Sequence, residues 1–170
     1  RKNFTRLIEA MKSIVDPDIE LLIVGKKGWL YDEILAAPKK YGVENRVRFL
    51  DFVPDEALPS LYKHAACFVL PSLYEGFGLP VLEAMAHGTP VVVSSGSSLP
   101  EIAGDAGIYV DPSDVSSIAA GISLALTEST NDRKARIQRG KQRVNSFTWE
   151  NAATKVMDVL SLVGKKGKNV

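Results

Sequence analysis

The side chains with the most chemistry in this sequence lie in one run, Pro71-Ser-Leu-Tyr-Glu75-Gly-Phe-Gly-Leu-Pro80-Val-Leu-Glu83-Ala-Met-Ala-His-Gly88. Gly76 and Gly78 let a backbone come close to a ligand. A helix entered at Pro80 offers unpaired N–H groups and the positive end of a dipole, the makings of a phosphate site. Pro80 has no N–H, so the donors fall to Gly78, Leu79 and Val81. Glu83 is the only charge between Glu75 and the end of that helix, set among Leu79, Val81, Leu82, Met85 and Ala86. A carboxylate in such company needs donors, and the vicinal hydroxyls of a ribose supply two. Glu75 lies in the turn, within reach of a sugar's hydroxyls. Singly, each acid has a plainer reading: Glu83 as a local cap or ion pair, Glu75 as a solvated loop residue. Together, around a glycine-rich helix start, they point to a ligand that carries phosphate and sugar.

Other patterns weigh less. Asp16-Pro17-Asp18 has a spacing that can hold a metal and a diphosphate. It falls between a helix and the first strand, at the amino edge of the sheet, where turn chemistry accounts for it. His64, Cys67 and His87 are the only soft metal ligands, and no zinc spacing is met. Cys67 reads as core and His87 as a helix C-terminal residue that favours the dipole; a sugar contact through His87 stays open. Gly76-Phe-Gly78-Leu-Pro-Val81 half-matches the dinucleotide fingerprint but ends in Val, and no acid closes a second strand at the right distance. No Walker loop and no Gly-x-Ser-x-Gly occurs. Arg133, Lys134, Arg136, Arg139, Lys141 and Arg143 make a basic helix. Its plain reading is a solvated face; its sharper one is contact with an anionic membrane or a lipid-linked acceptor.

The elements that must position these residues are legible in outline. Short β-branched runs at Glu20–Val24, Arg46–Leu50, Ala66–Leu70, Pro90–Ser94 and Gly107–Val110 alternate with helical patterns. The runs are continuous and apolar, as parallel strands covered on both faces require. Helices are expected from Phe4 to Val15, from Leu30 to near Pro38 and Gly42, from Pro54, from Pro80 to Gly88 and at Pro100–Ala103. Three more follow at Ser113–Leu126, Asp132–Val144 and Trp149–Leu162. That order implies an α/β fold, a doubly wound Rossmann-like parallel sheet with a helical C-terminal extension. Ligands of such sheets bind beyond the carboxyl ends of the strands, which directs attention to Gly25–Trp29, Asp51–Pro54, Pro71–Gly78 and Ser95–Leu99.

Composition bounds the rest. The chain has 170 residues, 45% apolar and 24% charged, with 21 basic against 20 acidic residues. That is one globular domain with a core of its own. A net charge of +1 gives no field that argues for nucleic acid. A single cysteine forbids an internal disulfide and fits a reducing compartment. No apolar run approaches the ~20 residues of a membrane span, and no signal peptide is visible. The expected setting is cytoplasmic, with association at the cytoplasmic face of a membrane kept open. The first residue is not Met and stands just before a helix, so a fragment of something longer is expected. The expected division is a domain over 1–163 and a frayed tail over 164–170.

The Glu-x7-Glu block, Glu-Gly-Phe-Gly-Leu-Pro-Val-Leu-Glu-Ala-Met-Ala-His-Gly-Thr-Pro-Val-Val, resembles the signature of the retaining glycosyltransferases of family 4. The match is to their C-terminal, nucleotide-sugar-binding domain, half of a GT-B fold. Weaker segments fall in the same order: Arg1-Lys2-Asn3-Phe4, Val47-Arg-Phe-Leu-Asp-Phe-Val53-Pro-Asp, Leu99-Pro-Glu-Ile, Asp111-Pro-Ser-Asp and Phe147-Thr-Trp-Glu. The resemblance implies that Glu83 binds the ribose and Glu75 contacts hydroxyls of the transferred sugar. It implies that the backbone at Gly76, Phe77, Gly78 and Leu79 holds diphosphate and sugar, and that Lys2 neutralises the leaving group. Val53 matches the position whose backbone meets the base. Gly25-Lys-Lys-Gly28 departs from the family's usual Gly-x-Gly. No metal and no cofactor is implied. The implied donor is a GDP-, UDP- or ADP-linked sugar, with GDP-mannose favoured by a general resemblance to mannosyltransferases of polysaccharide biosynthesis. A sugar or lipid-linked acceptor would bind the N-terminal domain, absent here, so this chain would bind donor without transferring it. Rival expectations are a non-catalytic sugar-nucleotide-binding module, and a phosphorolytic or hydrolytic enzyme.

Overall fold

The computed structural model describes residues 2–25 and 31–166. Arg1, residues 26–30 of the first post-strand loop and residues 167–170 of the expected tail lie outside them. Five strands form where the β-branched runs predict: β1 (Leu21–Val24), β2 (Val47–Leu50), β3 (Phe68–Leu70), β4 (Val91–Ser94) and β5 (Gly107–Val110). Every pairing among the described residues is parallel. Leu21 sits against Val47, Phe68 against Val91, and Val91 against Gly107.

Where one sheet is expected, the strands make two ladders, β1–β2 and β3–β4–β5. β1 and β3 face a cavity of about 670 Å³, with Phe4, Met11, Ile122 and Leu126 also in its walls. Apolar side chains thus line the seam where backbone pairing would otherwise continue. Across both ladders the order reverses between β1 and β3, the switch point of a doubly wound fold.

The helices are α1 (Phe4–Ala10), α2 (Asp32–Tyr41), α3 (Leu58–His64), α4 (Leu79–Ala86), α5 (Leu99–Ala103), α6 (Val115–Thr127), α7 (Thr130–Val144) and α8 (Trp149–Lys166). They cover two faces, as β4 shows. All four of its residues are buried. Val92 joins a core with Leu7, Ile8, Ile118 and Ile122 of α1 and α6. Val91 and Val93 point the other way, to Val81, Met85, Leu99 and Ile102 of α4 and α5. The two-residue period of a strand sorts these side chains between two cores. At Gly121, α6 lies so close to the sheet that a Cβ would collide with Val110 and stand 3.1 Å from Val92.

One boundary falls where expected and two differ. α2 ends within the expected stretch: Pro38 is buried inside the last turn, and the helix is capped at Gly42, whose φ of 69° favours glycine. The segment after Pro54 is a turn, closed by Ala57 N–H on Pro54 O at 2.9 Å, and α3 starts at Leu58. α8 continues through Lys166, past the expected boundary at residue 163.

Four of the six basic residues of α7 are tied into the fold, while Lys134 and Lys141 are exposed as a solvated face requires. Arg133 donates to Ala66 O at 2.8 Å and Ala125 O at 3.3 Å. Arg136 donates to Glu128 at 2.9 Å and Ala106 O at 3.4 Å. Arg139 donates to Asp105 O at 3.0 Å, and Arg143 to Ile102 O at 3.2 Å and to Glu101 O. Spaced at three or four residues, these four lie on one helix face. They satisfy carbonyls near the ends of α5 and α6, in the turn before β5 and in the connection from α3 to β3, where chain ends and turns leave such groups without partners. Among the described residues, no helix is long and apolar enough to cross a membrane.

Candidate functional site

The two carboxylates sit in unlike environments. Glu75, in the loop after β3, is only 7% exposed; the solvated-loop reading does not hold. Ser72 Oγ donates to its Oε1 at 2.8 Å, and Lys2 Nζ stands 3.4 Å from the same oxygen. Its backbone is clamped by the loop after β4. Ser97 Oγ accepts from Glu75 N–H at 2.9 Å and lies 2.5 Å from Glu75 O. Ser98 Oγ lies 3.0 Å from Glu75 O and 2.8 Å from Phe77 O. Ser97 has φ 63°, a left-handed conformation uncommon for a non-glycine residue. Ser72 and Lys2 hold the Glu75 carboxylate, and Ser97 and Ser98 hold its backbone.

Glu83 is exposed, so the expected apolar burial is not its setting. Val81, Ala84 and Met85 bury the opposite face of α4. Its donor comes from α3: Tyr62 Oη–H donates to Glu83 Oε2 at 2.8 Å. Burial, and then the neighbouring Glu83 carboxylate, push the Tyr62 phenol well above its ordinary value. His87 stacks on the Tyr62 ring at 5.7 Å, with Nδ1 2.8 Å from Glu83 O.

Lys2 is held by its neighbour. Asn3, at φ 62°, donates through Nδ2 to Pro71 O at 2.9 Å and Pro112 O at 2.7 Å, tying the chain to the loops after β3 and β5. Arg6 donates to Asn3 Oδ1 at 3.0 Å. Lys2 is 43% exposed by side chain and joins Val53, Pro80 and Glu83 in the wall of the cavity between the ladders. Val53 follows β2 and is half-buried. Gly76, Phe77, Gly78 and Leu79 are outside that wall. They form the turn that leads into α4, where Phe77 packs edge-on against Phe147 at 6.0 Å. Gly78 has φ 111°, and a Cβ there would meet Leu99 at 2.8 Å. Val81 N–H is engaged by Gly78 O at 2.9 Å. The expected donor set therefore shrinks to the amides of Gly78 and Leu79.

The remaining signals settle locally. Asp18 N–H donates to Asp16 Oδ1 at 3.0 Å, the turn that the sequence suggests. Among the described residues, no three His, Cys, Asp or Glu side chains converge as a metal site would need. Asn3, Tyr62, Ser72, Ser97 and Ser98 carry contacts to the site that sequence reading did not single out. In the sequence, Ser72, Ser97 and Ser98 are marked only as members of the Pro71–Gly78 and Ser95–Leu99 loops, and Asn3 only within Arg1-Lys2-Asn3-Phe4.

Residues 1–143 match the model of the family described as glycosyl transferases group 1. An O-antigen chain mannosyltransferase B of Escherichia coli is 40% identical over 166 residues, which span 96% of this chain and 43% of that protein. Sucrose-phosphate synthase of Thermosynechococcus elongatus superposes with a TM-score of 0.80 at 30% identity, over 98% of this chain and 43% of that one. Anabaena Alr3699/HepE, solved in complex with UDP and glucose, gives 0.75 at 25% identity, over 92% and 44%. The chain thus spans about two-fifths of the length of these relatives. With the fold, the Glu-x7-Glu turn and these likenesses agreeing, the chain belongs to the group 1 glycosyl transferases, and its architecture is the α/β half of a GT-B fold.

Proposed function

We propose that this chain binds a nucleotide-diphosphate sugar and forms the donor half of a retaining hexosyltransferase that transfers mannose. The observation that carries the reading is that Lys2, Val53 and Glu83 line one cavity, with Glu75 held 3.4 Å from Lys2. The base would lie against Val53 and the ribose hydroxyls on Glu83. The diphosphate would take the Gly78 and Leu79 amides and the Lys2 ammonium. Breaking the sugar–phosphate bond builds charge on the departing oxygen. A fixed cation and fixed N–H groups aimed at it lower the barrier without the reorganisation that water would need. Glu75 would orient the sugar's hydroxyls and oppose the positive character at its reacting carbon. The proposed chemistry needs no metal and no cofactor. The acceptor, a sugar or a lipid-linked sugar, would be held by a partner half of the enzyme. Mannose is favoured by the E. coli relative's name, and a UDP-linked donor by the Anabaena complex.

The test is a thermal-shift panel of GDP, UDP and ADP, each with and without its sugar, in EDTA. A ligand at a hundred times its dissociation constant adds about 2.7 kcal/mol, a rise of roughly 5–10 °C at this size. One base that stabilises in EDTA supports the reading and names the donor. Silence from all three refutes it.

A further inference from the structure

Glu83 has two oxygens and one of them is already taken. Tyr62 donates to Oε2 at 2.8 Å, and no described residue engages Oε1. Both residues line the cavity between the ladders. The phenol that makes this bond cannot swing away. Its ring is stacked on His87 at 5.7 Å and edge-on to Phe68 at 5.7 Å. Its own carbonyl accepts from Thr89 Oγ1 at 2.6 Å. Glu83 has no such restraint of its own: it is exposed, on the open face of α4. A glutamate there would sample several rotamers, and each ordered rotamer costs binding free energy when a ligand must fix it. The phenol also stays protonated through the ordinary pH range, since burial and the carboxylate both raise it. Tyr62 thus keeps its proton to donate to Glu83.

We propose that Tyr62 is a positioning residue that fixes the Glu83 carboxylate so that it receives the vicinal diol of a ribose. The preference for ribose over a sugar without those hydroxyls then depends on a hydroxyl that touches no ligand atom. This rests on the nucleotide reading above and adds the source of its sugar selectivity. The position fits the sequence: α3 must end at His64 and α4 begin at Leu79 for side chains 21 residues apart to meet.

The experiment measures dissociation constants of GDP, UDP and ADP and of their 2′,3′-dideoxy forms for the wild type, Tyr62→Phe, Glu83→Ala and the double variant. Tyr62→Phe keeps the ring and its two aromatic contacts, and circular dichroism with a melting curve checks its fold. The expected result is a wild-type preference for the ribose form that Tyr62→Phe lowers about three- to tenfold. Dideoxy affinity should stay unchanged. In the Glu83→Ala background, the same substitution should have no effect. Equal weakening of both forms would make Tyr62 a wall of the pocket only, and an unaltered preference would give it no part; either overturns the proposal. Equal wild-type affinity for both forms, or no binding of any nucleotide, would instead overturn the assignment of Glu83 to ribose, and this inference with it.

Discussion

Glu75 is buried on Ser72 and Lys2, whereas Glu83 stands at the surface on the hydroxyl of Tyr62. Their substitutions should therefore separate. Glu83→Ala should weaken free nucleoside diphosphate by about ten- to hundredfold, one charge-assisted hydrogen bond of roughly 1.5–3 kcal/mol. Glu75→Gln should leave free diphosphate binding nearly intact and remove most of what the sugar adds, as titration calorimetry would read. Equal losses for both ligands in the Glu75 variant would end that division of roles. Cys67, in the cavity wall, supplies a pH test. Burial pushes its thiol from 9.0 up to about 11. The folded chain then holds that proton more tightly than the unfolded chain between these values. Stability is full below about pH 9 and falls as pH rises toward 11. Cys67→Ala should flatten part of this fall in an alkaline denaturation series; Tyr62, raised in the same sense, keeps the rest. At this scale the sequence exposes the acids because charge inside an apolar helix is conspicuous. Tyr62 stays hidden, since its partner is 21 residues away and no local pattern marks it; Ser97, 22 residues from Glu75, shows only as part of the Ser95–Leu99 loop.

The elements themselves were largely readable. Continuous β-branched runs marked all five strands, and Gly88 and Gly42 marked helix ends. What escaped was set by tertiary packing. The seam between β1 and β3 depends on side chains from α1 and α6. The arginines of α7 carried a signal, a spacing of three, three and four residues, that composition alone reads as a wet face. Gly121 is the element-scale position most open to test. Because α6 crosses β4 and β5 without room for a Cβ, Gly121→Ala should destabilise by about 1–3 kcal/mol through overpacking, despite alanine's better helix propensity. Urea denaturation would measure it; a stabilised variant would mean that α6 can move away from Val110 at no cost.

At the scale of the molecule, α8 is set apart. Trp149 is 89% exposed, and Val156, Met157, Val159, Leu160, Leu162 and Val163 are all exposed. The two cores include none of them. Removing residues 149–170 should leave the melting temperature within about 2 °C, since surface changes away from the core stay near ±0.5 kcal/mol. It should also reduce self-association, which light scattering would follow, because large exposed apolar patches promote it. A large drop in melting temperature would show that α8 supports the fold after all. The arginine strap of α7 has a different consequence, in ionic strength. Mobile ions screen charge against charge over about 10 Å at 0.1 M salt. Arg133, Arg139 and Arg143 donate instead to backbone carbonyls at short range, dipoles that a counterion atmosphere barely attenuates. Most of the arginines in the richest run of positive charge are therefore tied into the fold as hydrogen-bond donors, and the domain should hold together in strong brine nearly as well as in dilute buffer.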